Sequence, residues 1–576
     1  MRRFWLGMSL QTRRSLAVAV GVLAALLVVA FVAVPALPCQ APGGDVCPLS
    51  DDAIHLVPDD ALGYLHVNLD PDSEQYEKAR EVAERIPTIA DQVSSRLLAR
   101  VPGPGGRPPD FASDIGPWFG GQAALAIVPA GGRAAEEVQL LQVKDDDAAK
   151  EFARSIATGT PQTTDYRDVP VSVDRRGLAT ALVGGFLAIG RESGVRDVID
   201  AQSGASGTGS LADEPAARAA RDALPDDRLG DAYLSPDGIR RLVGNPRGPL
   251  ATLDAAVDPT ASEGVAMALV ASDAGIELDI RSERDEARAK AQPGFFAAFP
   301  SFEPTLTDSL PSDSLAYVGM ADPGSTLASL IEQASADQPG LAAAVAGLVT
   351  HVKQLGKVDL ETDLLPSLGG EAAFALQPAP GGGGKNVAPT AGAPYLEFLS
   401  SGIDAERAGP ALAGLQAPIA DALNPSSGLA PTFSQHKSGG VTGHSVRLSP
   451  TVELTYAIAG SVLLIATDPV AVKQLTDESG GLADDHLFKE ATAGLPDSVS
   501  LLSYFNLDGL LTLGEQAGLA QDPAYEAFAP ELRKLRALGL AVRQSPSELA
   551  TDVRLIVSSE ASAPSDSGDG GAVPND

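Results

Sequence analysis

The feature that most constrains the fold of this chain is an internal repeat. Residues 211–244 align without a gap on residues 482–515. The identical pairs are Leu211/Leu482, Ala212/Ala483, Asp213/Asp484, Leu224/Leu495, Pro225/Pro496, Asp226/Asp497, Tyr233/Tyr504, Asp237/Asp508 and Gly238/Gly509. Repetition over a long period requires one structural unit to form twice, so any predicted fold has to fit both segments.

Further similar segments extend the repeat over most of the chain. They follow in the same order in both halves, pairing 57–71 with 310–323, 114–130 with 363–379, 138–156 with 395–412, 180–204 with 455–480, and 264–283 with 539–558. Coincidental similarity would not preserve this order. The sequence therefore predicts two copies of one module, at 56–290 and 302–558.

Each module combines short apolar or alternating segments with Ala-rich segments of helical period. Segments typical of strands lie at 62–69, 123–128, 186–190, 265–272 and 276–281. Segments typical of helices lie at 74–86, 146–157 and 216–224. Strands that follow one another closely form antiparallel pairs, and the helices must cover a face of the sheet. We expect an α+β fold built on mainly antiparallel sheets.

An uncharged apolar segment, Leu16–Leu37, precedes the modules. As a helix its roughly 22 residues would span about 33 Å, which matches a bilayer core of about 30 Å. Four arginines lie in the leader 1–15, and the next basic residue is Lys78. This asymmetry predicts a cytoplasmic N-terminus and a single-pass membrane protein whose modules are extracytoplasmic. A cleaved signal peptide ending near Ala36 is the alternative, and the length of the segment favours a retained helix.

The only two cysteines, Cys39 and Cys47, lie in the predicted juxtamembrane linker 38–55. An oxidising compartment outside the membrane would allow them to pair. A disulfide across so short a loop stabilises it by roughly 2–3 kcal/mol and leaves distant domains unlinked. We expect an intrachain disulfide, with an interchain bond between two copies as the first alternative and free thiols as the second.

The chain is strongly acidic, with 75 acidic and 42 basic residues and a formal net charge of −33. Such a surface repels nucleic acid, and no basic segment suited to binding it occurs outside the leader. The C-terminal segment 559–576 is rich in Ser, Gly and Asp and has too few apolar residues to form a core. We expect no nucleic-acid partner and a disordered acidic tail.

A family resemblance rests on the basic leader, the single apolar segment, the sequence LVPDDALGYLHVNLDPDSEQYEKA at 56–79, and the repeated segments that begin at Leu211 and Leu482. In these features the chain resembles the bacterial family catalogued as domain of unknown function 3352, over roughly 50–558. The resemblance implies a membrane-anchored or exported protein and brings no established catalytic residues. The Ala-, Arg- and Asp-rich composition suggests an actinobacterium.

No motif for catalysis or cofactor binding is found. The six histidines include no HExxH pair, and two cysteines are too few for a Cys/His zinc set. His436 and His444 are predicted to lie in a solvent-facing loop. The chain has neither a G-x-S-x-G elbow nor a complete phosphate-binding loop. The sequence predicts no catalytic, cofactor-binding or metal-binding residues, and no enzyme.

One acidic segment resembles a calcium loop, because Asp70, Asp72 and Glu74 alternate. Gln75 stands where the sharp turn of such a loop needs glycine. Asp72 or Ser73 is instead placed to cap the N-terminus of the predicted helix. The segment is therefore interpreted as a solvated acidic surface.

Three functions are compatible with the sequence. The first is a non-catalytic binding role at the cell envelope, with an unknown envelope protein as partner. The second is a carrier that sequesters a lipid or other hydrophobic envelope ligand between sheet and helices. The third is an enzyme with a site built from loops. An internal apolar cavity of several hundred Å³ would favour the second. A cleft with converging carboxylates of perturbed pKa would favour the third.

Overall fold

The structure is a computed structural model that describes residues 51–558, with gaps at 131–134, 205–208, 244–260, 292–295, 297–298, 327, 330–349, 351, 381–392, 423–431, 450–451 and 477–480. The predicted leader, the apolar segment Leu16–Leu37, Cys39, Cys47 and the tail 559–576 lie outside the described residues. Among the helices that are described, none is both long and apolar enough to cross a membrane.

The described residues form two compact units. Unit 1 consists of those up to 294 together with 521–534 and 545–560. Unit 2 consists of 295–520 and 535–544. The units do not coincide with the predicted modules 56–290 and 302–558, because two segments near the C-terminus belong to unit 1.

Unit 1 is built on one antiparallel sheet. Its first ten strands are β1 (Gly63–Asn68), β2 (Phe119–Pro129), β3 (Ala135–Val143), β4 (Gln162–Tyr166), β5 (Val169–Val173), β6 (Leu178–Val183), β7 (Phe186–Arg191), β8 (Gly230–Leu234), β9 (Ser262–Ser272) and β10 (Gly275–Arg284). They pair in the order β4-β5-β6-β7-β3-β2-β1-β8-β9-β10.

Unit 2 repeats this pairing order. Its strands are β11 (Ala316–Ala321), β12 (Glu371–Gln377), β13 (Tyr395–Ser400), β14 (Ser434–Ser438), β15 (Val441–Ser449), β16 (Val452–Ala459), β17 (Val462–Ala466), β18 (Leu501–Asn506) and β19 (Leu535–Gln544). They pair antiparallel in the order β14-β15-β16-β17-β13-β12-β11-β18-β19. The last described strand, β20 (Glu548–Val557), pairs with β10 in unit 1.

Helices and short helical turns connect the strands. The α-helices are α1 (Glu74–Arg85), α2 (Pro87–Leu98), α3 (Asp146–Ile156), α4 (Glu192–Ser203), α5 (Pro215–Asp222), α6 (Pro236–Gly238), α7 (Glu286–Ala291), α8 (Ala405–Ala422), α9 (Ala471–Gln474), α10 (His486–Thr492), α11 (Leu507–Gln516) and α12 (Pro523–Leu532). The 3-10 and π turns are Ala53–Leu56, Pro104–Gly106, Phe111–Ile115, Leu211–Asp213, Ile239–Val243, Leu306–Ser309, Leu360–Leu364, Leu365–Ser367, Leu482–Asp484 and Leu519–Gln521. The mixture of helices and antiparallel strands confirms the predicted α+β class.

Capping residues in the sequence set where the unit 1 helices begin. The Ser73 side chain accepts a hydrogen bond from the Tyr76 N–H at the start of α1. Asp145 does the same for the first turn of α3 and Glu214 for that of α5. Each cap satisfies backbone donors that an α-helix leaves without partners at its N-terminus. Ser73 is one of the two residues, with Asp72, that were predicted from the sequence to cap this helix.

The main core of unit 1 lies on one face of its sheet, beneath α4 and α5. Strand residues such as Tyr64, Val138 and Leu140 are buried there against Val195 and Val198 of α4. A Cβ atom at Gly194 would lie 2.6 Å from the Val138 Cγ2 atom, so glycine allows the helix to approach the sheet this closely. Burial of these side chains from water stabilises the layered arrangement.

The segments from the C-terminus complete unit 1. The Glu531 carboxylate of α12 accepts hydrogen bonds from the Thr88 and Ile89 N–H groups at 2.7 and 2.8 Å, at the start of α2. The Lys534 ammonium donates to the Arg85 carbonyl at 2.6 Å, and Arg85 donates to the Val557 carbonyl at 2.8 Å. These contacts hold the α1–α2 pair in place.

Candidate functional site

An apolar cavity of about 150 Å³ lies in unit 1, on the sheet face opposite the main core. Along β1, Tyr64 faces the core and Leu65 faces the cavity, because successive strand side chains point to opposite faces. Leu125 of β2 and Leu141 of β3 lie on the same side. The lining further includes Val67, Leu69, Ser94, Leu98, Arg100, Val101, Phe111, Ile115, Phe119, Ala123, Ala124 and Gln139.

Two segments cover this sheet face. One is α2, whose N-terminus is held by Glu531. The other is the turn Phe111–Ile115, which begins at Asp110, where the Asp110 carboxylate accepts from the Ser113 N–H at 2.9 Å. The Phe111 ring packs edge-on against the Phe119 ring, with their centroids 5.7 Å apart. Leu65 and Leu125 remain only half-buried, so the cavity is accessible from outside.

A larger polar cleft of about 880 Å³ adjoins the cavity. The two spaces share Arg100, Val101 and Gln139 as lining residues. The Gln139 amide donates to the Arg100 carbonyl at 2.9 Å, which ties the loop after α2 to β3. The charged residues that line the cleft are Arg100, Arg107, Arg176, Arg191, Glu136, Glu137 and Asp174. The two spaces are thus neighbours, one apolar and one lined by charged side chains.

The Asp174 carboxylate in this cleft is engaged by the backbone. It accepts hydrogen bonds from the N–H groups of Thr158, Arg176 and Leu178 at 2.7–2.9 Å. Burial raises the pKa of Asp174, but these hydrogen bonds lower it by more, so it lies below its ordinary value. Asp174 is therefore ionised at neutral pH and fixes the turn that carries Arg176.

A cluster of charged side chains is buried on the core face of unit 1. Arg221 of α5 donates to the Asp51 carboxylate at 2.5 Å and to the Asp231 carboxylate at 2.6 Å. The Tyr64 hydroxyl donates to Asp51 at 2.5 Å. The fully buried His66 ring lies between the two carboxylates, with nitrogen–oxygen distances of 3.8 Å to Asp51 and 3.7 Å to Asp231. Neither His66 nitrogen has a hydrogen-bond partner.

The electrostatics of this cluster keep Asp231 ionised. Burial raises the pKa of Asp231, while His66, Arg221 and the nearby Arg228 lower it by more, so the pKa falls well below its usual value. Asp51, His66 and Asp231 also offer three potential metal-ligand atoms within 4.8 Å of one another. The Arg221 guanidinium bridges both carboxylates, and Arg228 lies 3.4 Å from Asp231, so two guanidinium groups balance the two carboxylates without an ion.

Unit 2 has apolar or small residues at the corresponding sheet positions. Tyr64 pairs with Tyr233 across β1 and β8, as Tyr317 pairs with Tyr504 across β11 and β18. Two residues further along β1, His66 therefore corresponds to Gly319. By the same register, Asp231 corresponds to Leu502. The fold of these strands thus forms without the charged side chains.

Unit 2 has a buried carboxyl group of its own, Glu397 on β13. The Gln377 amide donates to it at 3.1 Å, and the Gln474 amide lies 3.0 Å from it. The same Gln474 amide contacts the Tyr395 hydroxyl at 2.5 Å. Burial raises the pKa of Glu397 to about 8 despite the hydrogen bond from Gln377. This carboxyl group is therefore mostly protonated at neutral pH.

The histidines singled out in the sequence lie on strands and not in a loop, which corrects that prediction. His436 is on β14 and His444 on the adjacent β15. The His444 ring stacks on the Tyr456 ring with centroids 4.8 Å apart. Short polar strands next to a Gly-Gly turn have little apolar pattern, and this explains the wrong assignment.

Sequence patterns missed the residues of the charged cluster. His66 and Asp231 each lie within an otherwise apolar strand, and no motif spacing links them to Asp51 or Arg221. One usable signal was present: at both strand positions the second copy has an apolar residue or glycine, namely Gly319 and Leu502.

Comparisons with known proteins identify a family. Two solved structures, crystal forms I and IV of TP0453, are 11% and 13% identical to this chain, with TM-scores of 0.23 and 0.25. The matches cover 41% of this chain and 79% and 81% of those chains, and so low a similarity supports no inference here. No curated protein matches the chain. The model of the family described as "Protein of unknown function (DUF3352)" matches residues 16–396, so the chain belongs to this family.

Proposed function

We propose that this protein is a non-catalytic binding protein anchored in the membrane of a bacterial cell envelope, and that unit 1 binds the apolar part of an envelope ligand. The composition favours an actinobacterium as its source. The observation that carries the proposal is the accessible apolar cavity beneath α2. Apolar side chains at an open cavity are stabilised when a ligand removes them from water, at about 25 cal/mol per Å². At about 150 Å³ the cavity is smaller than the several hundred Å³ expected of a site for a whole hydrophobic ligand, so it suits a small apolar group such as one end of an alkyl chain.

The proposed location rests on the sequence. Leu16–Leu37 has the length and composition of a membrane span, and the arginines before it favour a location of the modules outside the cytoplasm. The two similar units are the proposed products of internal duplication. On this proposal the native protein stays with membranes after a high-salt wash. A chain found free in the culture fluid with Leu37 as its first residue would contradict the anchor.

The non-catalytic part of the proposal rests on the burial of the charged cluster. His66 is fully buried, and Arg221 occupies the carboxylates of Asp51 and Asp231. A general acid or base must be within hydrogen-bond reach of its substrate. Although the His66 nitrogens have no hydrogen-bond partner, the ring is buried out of reach of a substrate, and the two carboxylates are held by Arg221.

The test is to purify the full chain from its own membranes and to extract and identify bound lipids by mass spectrometry. Leu125→Trp fills the cavity, so we expect this variant to lose a ligand that the wild type carries in stoichiometric amount. Leu396→Trp is the matched control, because Leu396 is 60% exposed on β13 of unit 2. Ala123→Leu provides a second, smaller filling variant. Equal ligand content in all four proteins, or none in the wild type, would refute the proposal.

A further inference from the structure

We infer that the arginine-lined cleft beside the apolar cavity receives an anionic head group, so that the ligand of unit 1 is an anionic amphiphile. This inference rests on the proposed function, because the apolar chain of the same molecule would occupy the cavity. Its chemical class is an alkyl chain that ends in a carboxylate or phosphate.

The apolar cavity and the charged cleft lie side by side. Arg100 and Gln139 line both spaces, with Gln139 bonded to the Arg100 carbonyl. The cavity lining on the far side of this junction is almost entirely apolar. A ligand that fills both spaces must therefore be apolar at one end and polar at the other.

The charges of the cleft favour an anion. Its acidic side chains are already engaged: Asp174 by three backbone N–H groups, Glu136 by the Ser193 hydroxyl at 2.6 Å, and Glu137 by Arg100 at 3.7 Å. Arg176 and Arg191 are exposed and form no ion pair with a carboxylate among the described residues. They lie together, with an Arg191 guanidinium nitrogen 3.3 Å from the Arg176 carbonyl.

The net charge of the chain makes this pair of arginines selective. A formal charge of −33 repels small anions from the protein as a whole. A free anion therefore gains little from two exposed guanidinium groups, which are largely screened by salt. An anion attached to an alkyl chain gains the burial of the chain as well. The site thus favours the amphiphile over the isolated anion.

The experiment uses the full chain in nanodiscs of uncharged lipid and decyl probes with a photoreactive diazirine in the chain. The probes differ only in the head: phosphate, carboxylate, hydroxyl or trimethylammonium. Peptide mass spectrometry measures labelling of β1, β2 and β3. We expect the two anionic probes to label these strands more than the hydroxyl probe, and the cationic probe least.

Arg176→Gln combined with Arg191→Gln removes the unpaired charges. Loss of charge-assisted contacts should lower labelling by the anionic probes roughly tenfold and leave the hydroxyl probe unchanged. Arg218→Gln with Arg240→Gln is the matched control, since both arginines belong to unit 1, are more than half exposed and lie outside the cleft. Inorganic phosphate should not reduce labelling by the anionic probes at concentrations that leave the fold of the wild-type protein unchanged.

The outcomes separate the two proposals. Two results would overturn the anionic head group but not the apolar site. One is equal labelling of the wild type by all four probes, and the other is a loss of labelling in the control variant as large as in Arg176→Gln with Arg191→Gln. Competition by inorganic phosphate would show a site for the free anion and would overturn the amphiphile. Absence of labelling in β1–β3 by the hydroxyl probe would refute the proposed function itself.

Discussion

Replacing Glu397 with glutamine should make unit 2 more stable at alkaline pH. The buried carboxyl group titrates near pH 8, whereas in the unfolded chain its pKa is close to 4.5. Because the folded pKa is the higher one, the stability it contributes is complete below about pH 4.5 and is lost as the pH rises to about 8. The difference between the two pKa values corresponds to a change in the free energy of unfolding of at most about 5 kcal/mol, at about 1.36 kcal/mol per pKa unit.

Glutamine has a similar shape and keeps the carbonyl acceptor for the Gln377 amide, so Glu397→Gln removes the titration and little else. Urea unfolding of the wild type and the variant at about pH 5 and about pH 9 measures the effect. Amide hydrogen exchange of peptides from β12, β13 and β17 assigns it to unit 2. We expect the variant to gain several kcal/mol relative to the wild type between the two pH values.

Glu406→Gln is the control, because Glu406 is an exposed carboxyl group on α8 of the same unit. Its substitution should leave the pH dependence as it is in the wild type. A stability difference between Glu397→Gln and the wild type that stays constant from about pH 5 to about pH 9 would refute the reasoning.

Three further predictions concern other parts of the chain. Glu531→Gln removes the charge at the start of α2 and should cost about 1 kcal/mol, with faster amide exchange in Pro87–Leu98; unchanged exchange there would contradict the cap. Arg221→Leu leaves two buried carboxylates without their bridge and should cost about 3–5 kcal/mol in urea unfolding; a loss below about 1 kcal/mol would contradict the balance of charges. Peptide mass spectrometry without reduction should find Cys39 and Cys47 joined within one chain, and finding them joined between two chains would favour the dimer.

Much of the fold followed from local sequence pattern. The predicted helix 74–86 is found as Glu74–Arg85. Its Ser73 cap could be predicted because a serine just before an amphipathic segment commonly caps the N-terminus of the helix. The helix predicted at 146–157 is found at Asp146–Ile156 for a similar reason, with Asp145 as its cap. The antiparallel sheet followed from strands that are close in sequence.

The sequence pattern did not predict which segments of the chain form unit 1. The strand Glu548–Val557 is in the second repeat, but it pairs with Gly275–Arg284 of the first, about 270 residues earlier in the chain, and thereby places Asp552 within 2.6 Å of Arg281. Alternation of apolar residues predicts that a strand exists and which face is buried, but it does not identify the neighbouring strand. Long-range pairing of this kind is decided by packing of the whole sheet.

The candidate site was beyond sequence reasoning for a similar reason. Leu65, Leu125 and Leu141 have the pattern of ordinary half-buried strands, and nothing local shows that α2 leaves space above them. Arg176 and Arg191 are 15 residues apart in the sequence and come together only when β6 pairs with β7. Cavities depend on how completely the surrounding side chains fill a volume, and this is set in three dimensions.

The central claim is that the face of unit 1 formed by β1, β2 and β3 binds an apolar group, and methyl NMR tests it most directly. The full chain, labelled at leucine methyl groups and held in nanodiscs of deuterated lipid, is titrated with decanol. We predict saturable shifts at Leu65, Leu125 and Leu141 and none at the exposed Leu396. Absence of shifts at the three cavity leucines, or equal shifts at Leu396, would contradict the claim.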